Sequence, residues 1–434
     1  MARGDRPALS STGAGRAAVE AVWRIESARI VSTLARSTGN FALAEDLAQE
    51  ALAEALVTWP RDGVPRSPAA WLLTVGRRRA VDAYRRRAAL DQRYETIARD
   101  LGNGEAWAGG STGDADLLAD PDRVDDDVLA LMFVACHPVL SREAQVALTL
   151  RVLGGLTSDE VARALLVPTA TVQARITRAK KTLAAAQVPF EVPPSDERRA
   201  RLGAVLTVLY VVFTEGSSAT SGSDRMRPDL AREAIRLARV LARLMPQEAE
   251  AQGLLALLEL TAARFPARVD AAGEPVLLED QDRHRWDRAA IRRGRAALVR
   301  AGRVGRGLGA YGVQAAIAEC HAVAGSVAET DWERIVLLYD VLGRLAPSPV
   351  VELNRAVAIS VARGPAVALQ LVDELVATGG LAGSHLLPSV RGELLRRLGR
   401  TDEARRETEA ALGLCANERE RGLLRRRLEA LAAG

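Results

Sequence analysis

The sequence predicts an all-α protein, on three observations. Apolar residues make up 48% of the 434 positions and are mostly Ala and Leu, while aromatic residues make up only 4%. That mixture suits packed helices, since sheets favour β-branched and aromatic side chains. Apolar residues also recur at three- and four-residue spacing in one segment after another, and no convincing strand run occurs.

At roughly 150 residues per domain, the length allows about three domains. Cys136, Cys320 and Cys415 are odd in number and far apart, which excludes a disulfide framework and a CxxC metal site. Residues 1–16 contain no apolar core of the signal-peptide kind, and no window reaches 18 uninterrupted apolar residues, so a soluble intracellular protein is expected. The net charge is only +4, and all basic residues except Lys180 and Lys181 are Arg. Its distribution says more: residues 60–100 carry ten basic and five acidic side chains, and residues 141–187 carry seven and three. Residues 101–140, between them, carry one and eight. Two basic blocks separated by an acidic one suggest two surfaces on a polyanion, joined by a segment that avoids it.

Taken in order, helices are expected over residues 19–35 and 42–57. The second carries Ala44, Leu47, Ala48, Ala51, Leu52, Ala55 and Leu56 as its stripe. Three prolines and a glycine predict a rigid loop over 59–68. Ser67 followed by Pro68 suits a helix start, opening a helix to about residue 90. Residues 102–127, with five glycines and seven Asp, read as a flexible acidic linker. Helices resume over 128–135 and 142–153, followed by a two-helix unit over 157–166 and 169–186.

That unit carries the sharpest signal. Thr157 and Glu160 form a capping box, and Val167-Pro168 ends the first short helix. Thr169 can cap the second helix, where Val172, Ile176, Ala179 and Leu183 form one apolar face. Thr171, Gln173, Arg175, Arg178 and Lys180 are left on the exposed face. Such a pair reads as a helix-turn-helix, with Arg suited to guanine or phosphate and Gln to adenine. An ordinary helical hairpin with a solvated basic face would give the same spacing. In the other basic block, six arginines accompany Trp71, Leu72, Val75 and Tyr84 on one helix. Arg neutralises phosphates, and Trp71 or Tyr84 could stack on an unpaired base, although a core position is the favoured reading of Trp71.

The stretches Ala44-Glu45-Asp46-Leu47-Ala48-Gln49-Glu50-Ala51 and Trp71-Leu72-Leu73-Thr74-Val75-Gly76-Arg77-Arg78-Arg79-Ala80-Val81-Asp82 resemble the σ2 domain of extracytoplasmic-function sigma factors, over residues 19–88. Residues 128–187 resemble their σ4 domain through Thr171-Val172-Gln173-Ala174-Arg175-Ile176-Thr177-Arg178-Ala179. The resemblance implies core RNA polymerase, through its β′ coiled coil and β flap, and promoter DNA as partners. It implies that Asp46, Gln49, Glu50 and Glu54 dock on core polymerase. It implies that Arg66, Trp71, Arg77, Arg78, Arg85 and Arg86 contact the −10 element, and that Thr169, Thr171, Gln173, Arg175, Arg178 and Lys180 contact the −35 element. The chain departs from the family pattern at Arg78, where Asn is frequent, and at Gln173 and Ala174, where a basic residue and Ser are usual.

The expected organisation is a σ2-like domain over 17–100, an acidic linker over 101–127, a σ4-like domain over 128–187, a Pro-rich linker over 188–195 and a helical-repeat extension over 196–434. In the extension, Gly392, Leu395, Gly399, Ala404 and Ala411 fall at tetratricopeptide packing positions. Pro246 and Pro347 stand where such repeats end, whereas residues 264–330 fit the period poorly. The layout resembles a subgroup of these sigma factors whose genes accompany DGPF-type (YCII-related) proteins, and that resemblance implies that the extension governs activity. A small-molecule or protein ligand of the extension is a further expectation. Two segments there, 210–216 and the charged stretch 277–287 around Trp286, are expected to serve inter-helix contacts and capping. Glu279, Asp280, Asp282 and His284 lack metal-ligand spacing, and His137, His321 and His385 stand isolated. Neither a metal, a cofactor nor a catalytic constellation is therefore expected. The preferred function is a sigma factor; the alternative is a helix-turn-helix regulator with a helical-repeat sensor, which would not need the σ2-like block.

Overall fold

In the structure, a computed structural model, residues 11–88, 121–165, 167–217, 228–268, 270, 276, 278–305, 307–415 and 418–433 are described. Among them there is no strand, and the fold is all-α. The chain divides into two compact units, Met1–Val211 and Val212–Gly434.

Helix α1 (Ser11–Thr38) buries Val19, Trp23, Ile30, Val31 and Leu34. Gly39, at φ +61°, turns the chain, and the Asn40 side chain accepts a hydrogen bond from the Leu43 amide to open α2 (Phe41–Asp62). The expected α2 stripe is buried at Ala44, Leu47, Ala48, Ala51 and Ala55, whereas Leu52 is half-buried and Leu56 is exposed. The expected loop over 59–68 is shorter than its prolines suggested, because α2 runs through Pro60 to Asp62. Pro60 lies in the last turn, where its missing N–H removes only one bond of the helix. Gly63, at φ +87°, then closes α2 with its N–H on Trp59 O. Helix α3 (Pro68–Ala88) starts with the expected first-turn proline. It lies so close to α1 that a Cβ on Gly76 would stand 2.9 Å from Leu34 Cδ1.

The expected flexible segment 101–127 is helical from residue 121, where α4 (Pro121–Ala135) begins; its remainder lies outside the described residues. Proline favours the first helical position, and the Asp127 carboxylate is drawn in by an ion pair with Arg36 of α1. Helix α5 (Arg142–Val152) is capped by Ser141. Helices α6 (Ser158–Leu165) and α7 (Thr169–Ala185) follow.

Helix α8 (Ser195–Ser217) contains the boundary between the two units. The division falls at 211/212 and not in the Pro-rich segment, because Arg201 places its guanidinium 6.0 Å from the Phe133 ring of α4. The stretch Glu197–Ser217 has the length and apolarity to cross a membrane (mean hydropathy 1.2), yet half of it is buried in protein.

The second unit stacks α9 (Pro228–Leu244), α10 (Ala249–Ala262), α11 (Arg288–Val304), α12 (Ala310–Val323), α13 (Trp332–Leu345), α14 (Pro349–Ala362), α15 (Pro365–Ala377), α16 (Leu386–Arg397), α17 (Thr401–Leu414) and α18 (Glu418–Ala433). Residues 264–330 break the repeat period because 3₁₀ turns at Phe265–Ala267, Leu278–Asp280 and Arg283–Arg285 interrupt it. Segment 210–216 makes the expected inter-helix contacts: Phe213 is buried and stacks on Phe265 at 6.0 Å. Helices α16 and α17 form a hairpin in which Gly392, Leu395, Ala404 and Ala411 are buried and Gly399, at φ +74°, makes the turn. Helices α10 and α12 approach closely: a Cβ on Gly253 would meet Gly312 N at 2.7 Å. Backbone cannot yield as a side chain does, so Gly253→Ala should force these helices apart. The expected cost is about 1–3 kcal/mol, measurable as a lower chemical-denaturation midpoint.

Candidate nucleic-acid interface

The helix-turn-helix forms as its sequence requires. Glu160 N–H donates to Thr157 Oγ1 (3.1 Å) while Thr157 N–H donates to Glu160 Oε2 (2.8 Å), which is the reciprocal capping box. Thr169 does not cap α7: that position falls to Pro168, and the Thr169 hydroxyl donates to Asp159 Oδ1 (2.8 Å), tying the two helices together. Val172, Ile176, Ala179 and Leu183 are all buried, as the spacing predicted. On the other side, Gln173 and Arg178 are exposed, and Thr169, Thr171 and Arg175 are half-buried. Arg24 of α1 pairs with Glu160 and anchors the motif to the rest of the unit.

Lys180 departs from the exposed set. Its side chain is only 15% exposed, and its ammonium donates to Glu45 Oε2 (2.8 Å) and to Asp46 of α2. Burial alone would push that ammonium's pKa down, but attraction to Glu45 and hydrogen bonds to Asp46 and Glu45 outweigh it and hold it above the usual lysine value. Arg151 of α5 joins the same cluster, donating to Gln49 and lying 3.6 Å from Glu45. The expected polymerase-docking residues are therefore split. Asp46 and Gln49 face α7 and α5, Glu50 is exposed, and Glu54 faces α3. Sequence reasoning missed Glu45 and Arg151; the available signal was a charged residue set inside an apolar stripe, Ala44–Glu45–Ala48 and Leu150–Arg151–Val152.

Helix α3 presents the second basic face. Arg66, Arg78, Arg85 and Arg86 are exposed, and Arg77 is half-buried. Arg78 and Arg79 donate to Glu54 of α2 at 2.8 and 2.7 Å. Burial pushes the Glu54 carboxyl up, yet its hydrogen bonds to Arg79 and Arg78 hold it below the usual carboxylate range. Trp71 is half-buried and meets the buried Trp59 edge-on, with ring centroids 5.6 Å apart. Tyr84 is not available for base stacking: it is 4% exposed and donates its hydroxyl to Thr38 O (2.9 Å). Its spacing from Ala80 and Val81 puts the ring on the core side of α3.

The second unit brings together residues that look isolated in sequence. His385 Nε2 lies 2.8 Å from Glu420, beside the buried Cys415 thiol. Asp282 and Asp287 perform the expected capping, of the third 3₁₀ turn and of α11 respectively.

Comparison with known proteins resolves what these faces belong to. Residues 24–89 match Sigma-70 region 2 and residues 130–183 match Sigma-70 region 4. An uncharacterized protein of Rhizobium meliloti (strain 1021) is 46% identical over 406 residues, covering 93% of both chains. The chain belongs to the extracytoplasmic-function class of sigma-70 family sigma factors. In this sigma factor, residues 201–302 also match a family of unknown function (DUF6596), which places that family in the C-terminal extension. No solved structure matches the chain. The region 2 match decides against a regulator built on a helix-turn-helix alone, since such a protein has no need of α1–α3. Sigma factors bind core RNA polymerase and promoter DNA, and the family initiates transcription without catalysis of its own.

Burial pushes the Glu160 carboxyl up, but the Thr157 backbone and hydroxyl, with Arg24 nearby, hold it below the usual range. A carboxyl depressed on folding stabilises above its unfolded pKa, and that contribution is lost as pH falls through the folded value. Glu160→Gln should therefore flatten the acid limb of the stability–pH curve, read by thermal unfolding between about pH 5 and pH 3.

Proposed function

We propose that this sigma factor directs promoter-specific initiation by docking on core polymerase through α2 and reading DNA through α3 and α7, with its extension bracing the complex. One observation supports the reading: residues 24–89 and 130–183 match regions 2 and 4, and the acidic and basic faces lie on the helices of those two regions. Asp46, Gln49, Glu50 and Glu54 offer an acidic, amide-bearing stripe suited to the β′ coiled coil, and the region 4 match suits the β flap. Arg66, Trp71, Arg77, Arg78, Arg85 and Arg86 take the −10 element. Thr169, Thr171, Gln173, Arg175, Arg178 and Lys180 take the −35 element, Lys180 only after it leaves Glu45 and Asp46. Docking then exchanges the internal partners Arg151 and Lys180 for basic residues of polymerase. The protein acts in the cytoplasm, where polymerase and promoter are.

Run-off transcription with purified core polymerase and a promoter library tests this reading. Replacing Asp46, Gln49 and Glu50 with Ala should weaken co-purification with core while the circular dichroism spectrum is unchanged; unaltered core affinity rejects the docking face. In the same assay, Arg175→Ala with Arg178→Ala should relax base preference upstream.

The extension is proposed to be a tetratricopeptide-like brace and not a mask. Residues 196–434 carry the whole net charge of about +4, so they offer no bulk acidic surface to shield two basic faces. Ala404 is fully buried between α16 and α17, so Ala404→Asp places a charge where none can be solvated. Reporter transcription should fall at matched protein levels; equal or higher output makes the extension an inhibitor.

A further inference from the structure

The second unit contains a cavity of about 600 Å³ beside the 3₁₀ turn Leu278–Asp280 and helices α13, α14 and α16. Its size is that of a small-molecule site. Its lining combines two kinds of surface. Leu278, Trp332, Val361 and Leu394 give an apolar wall, and Arg283, Arg396, Arg397 and Arg427 bring four guanidinium groups. Among the described residues, two carboxylates, Glu279 and Glu393, share the lining, and Glu393 is held by Arg396 at 2.7 Å.

Three cations thus form no ion pair among the described residues, although Glu329 attracts Arg283 from beyond ion-pair distance. Arg283 is 92% buried (8% exposed). One of its terminal nitrogens donates to His321 O (2.7 Å) and Ala324 O (2.8 Å) at the end of α12, and the other is buried with no hydrogen-bond partner. Among the described residues, Arg397 reaches the hydroxyl and carbonyl of Ser360, both at 3.2 Å, and Arg427 forms no hydrogen bond or ion pair. His321, on the same wall, carries an unpartnered buried Nδ1. Burial, with Arg264 and Arg283 nearby, pushes its pKa down to about 4, so the imidazole is neutral at physiological pH and adds a hydrogen-bonding group without charge. Arg264, itself pushed down to about 10 by burial and by Arg268 and Arg283, still adds positive potential behind it.

The buried charge of Arg283 is costly without an ion pair, and a bound oxyanion offsets that cost through the planar guanidinium fork, with Arg397 and Arg427 adding positive charge on the same lining. We propose that this cavity binds an amphipathic organic anion, whose acidic group meets Arg283, Arg397 and Arg427 and whose apolar body packs on Trp332, Val361 and Leu394. Carboxylate, phosphate and sulfonate heads share the required chemistry. Binding does not depend on the promoter-recognition reading, because it is measured on the protein alone.

The test titrates the full chain with the fluorescent anion 8-anilino-1-naphthalenesulfonate and with N-phenyl-1-naphthylamine, its neutral analogue lacking the sulfonate. The expected result is one saturable anion site per chain, with binding at least tenfold tighter than that of the neutral probe. Arg397→Gln with Arg427→Gln, both at exposed or half-exposed positions that the fold tolerates, should weaken the anion about tenfold and leave the neutral probe unchanged. Arg283→Lys, which keeps a charge, should weaken it less than Arg283→Met, and Val361→Trp should block both probes by filling the cavity. Decanoate and decyl phosphate, used as competitors, distinguish the head group: displacement by one alone assigns it, and displacement by both assigns a general oxyanion site. Absence of a saturable site, equal affinity for the neutral probe, or full anion affinity in the double Gln variant overturns the proposal.

Discussion

The buried carboxylate of Glu45 sets the arrangement of the first unit. It is 3% exposed on α2, and a charge so placed must be neutralised by protein, because burial strips its hydration. Lys180 of α7 and Arg151 of α5 do this, so the helix-turn-helix and the helix before it are drawn against α2. Arg36 with Asp127 and Arg24 with Glu160 repeat the device from α1 to α4 and α6. Each pair joins a region 2 helix to a helix at or beside region 4. Region 2 and region 4 are therefore held by a few charged contacts in addition to apolar packing.

That economy has a functional side. The groups that close the unit, Asp46, Gln49 and Lys180, are among those expected to meet polymerase or DNA, and Glu54 similarly occupies Arg78 and Arg79 of the basic helix. The Glu54 pairs with Arg78 and Arg79 have exposed members and are weak, whereas the Lys180–Glu45 pair is nearly buried. The apolar faces, such as Val172, Ile176, Ala179 and Leu183, take no part in these pairs.

In the second unit, small residues set the spacing and large ones close it. Gly253 meets Gly312, Gly294 meets Leu260, and Gly392 meets the Ala404 carbonyl and Thr408. Such contacts bring helix axes close and bury Ala-rich stripes without aromatic bulk. Where the 3₁₀ turns interrupt the stack, the spacing opens, and arginines and Trp332 line the gap. Arg264, Arg268 and Arg283 gather there with His321, and burial lowers all four pKa values.

The sequence by itself determined what depends on neighbours a few residues apart. The all-α class, the capping box at Thr157 and Glu160, the buried face of α7 and the hairpin at Gly399 all follow from local spacing and backbone preference. The two sigma regions were legible for the same reason, since their motifs are continuous stretches. Only the tertiary structure decided which charges were free. Lys180 sits on the polar side of its helix, yet a carboxylate 135 residues away claims it. Tyr84 was turned inward by the carbonyl of Thr38, and His385 found Glu420 across two helices. The cavity was equally hidden, because its walls come from segments between residues 278 and 427. Periodicity states which face of a helix is apolar, but the partner of a charged side chain is fixed by distances that exist only after the chain has folded.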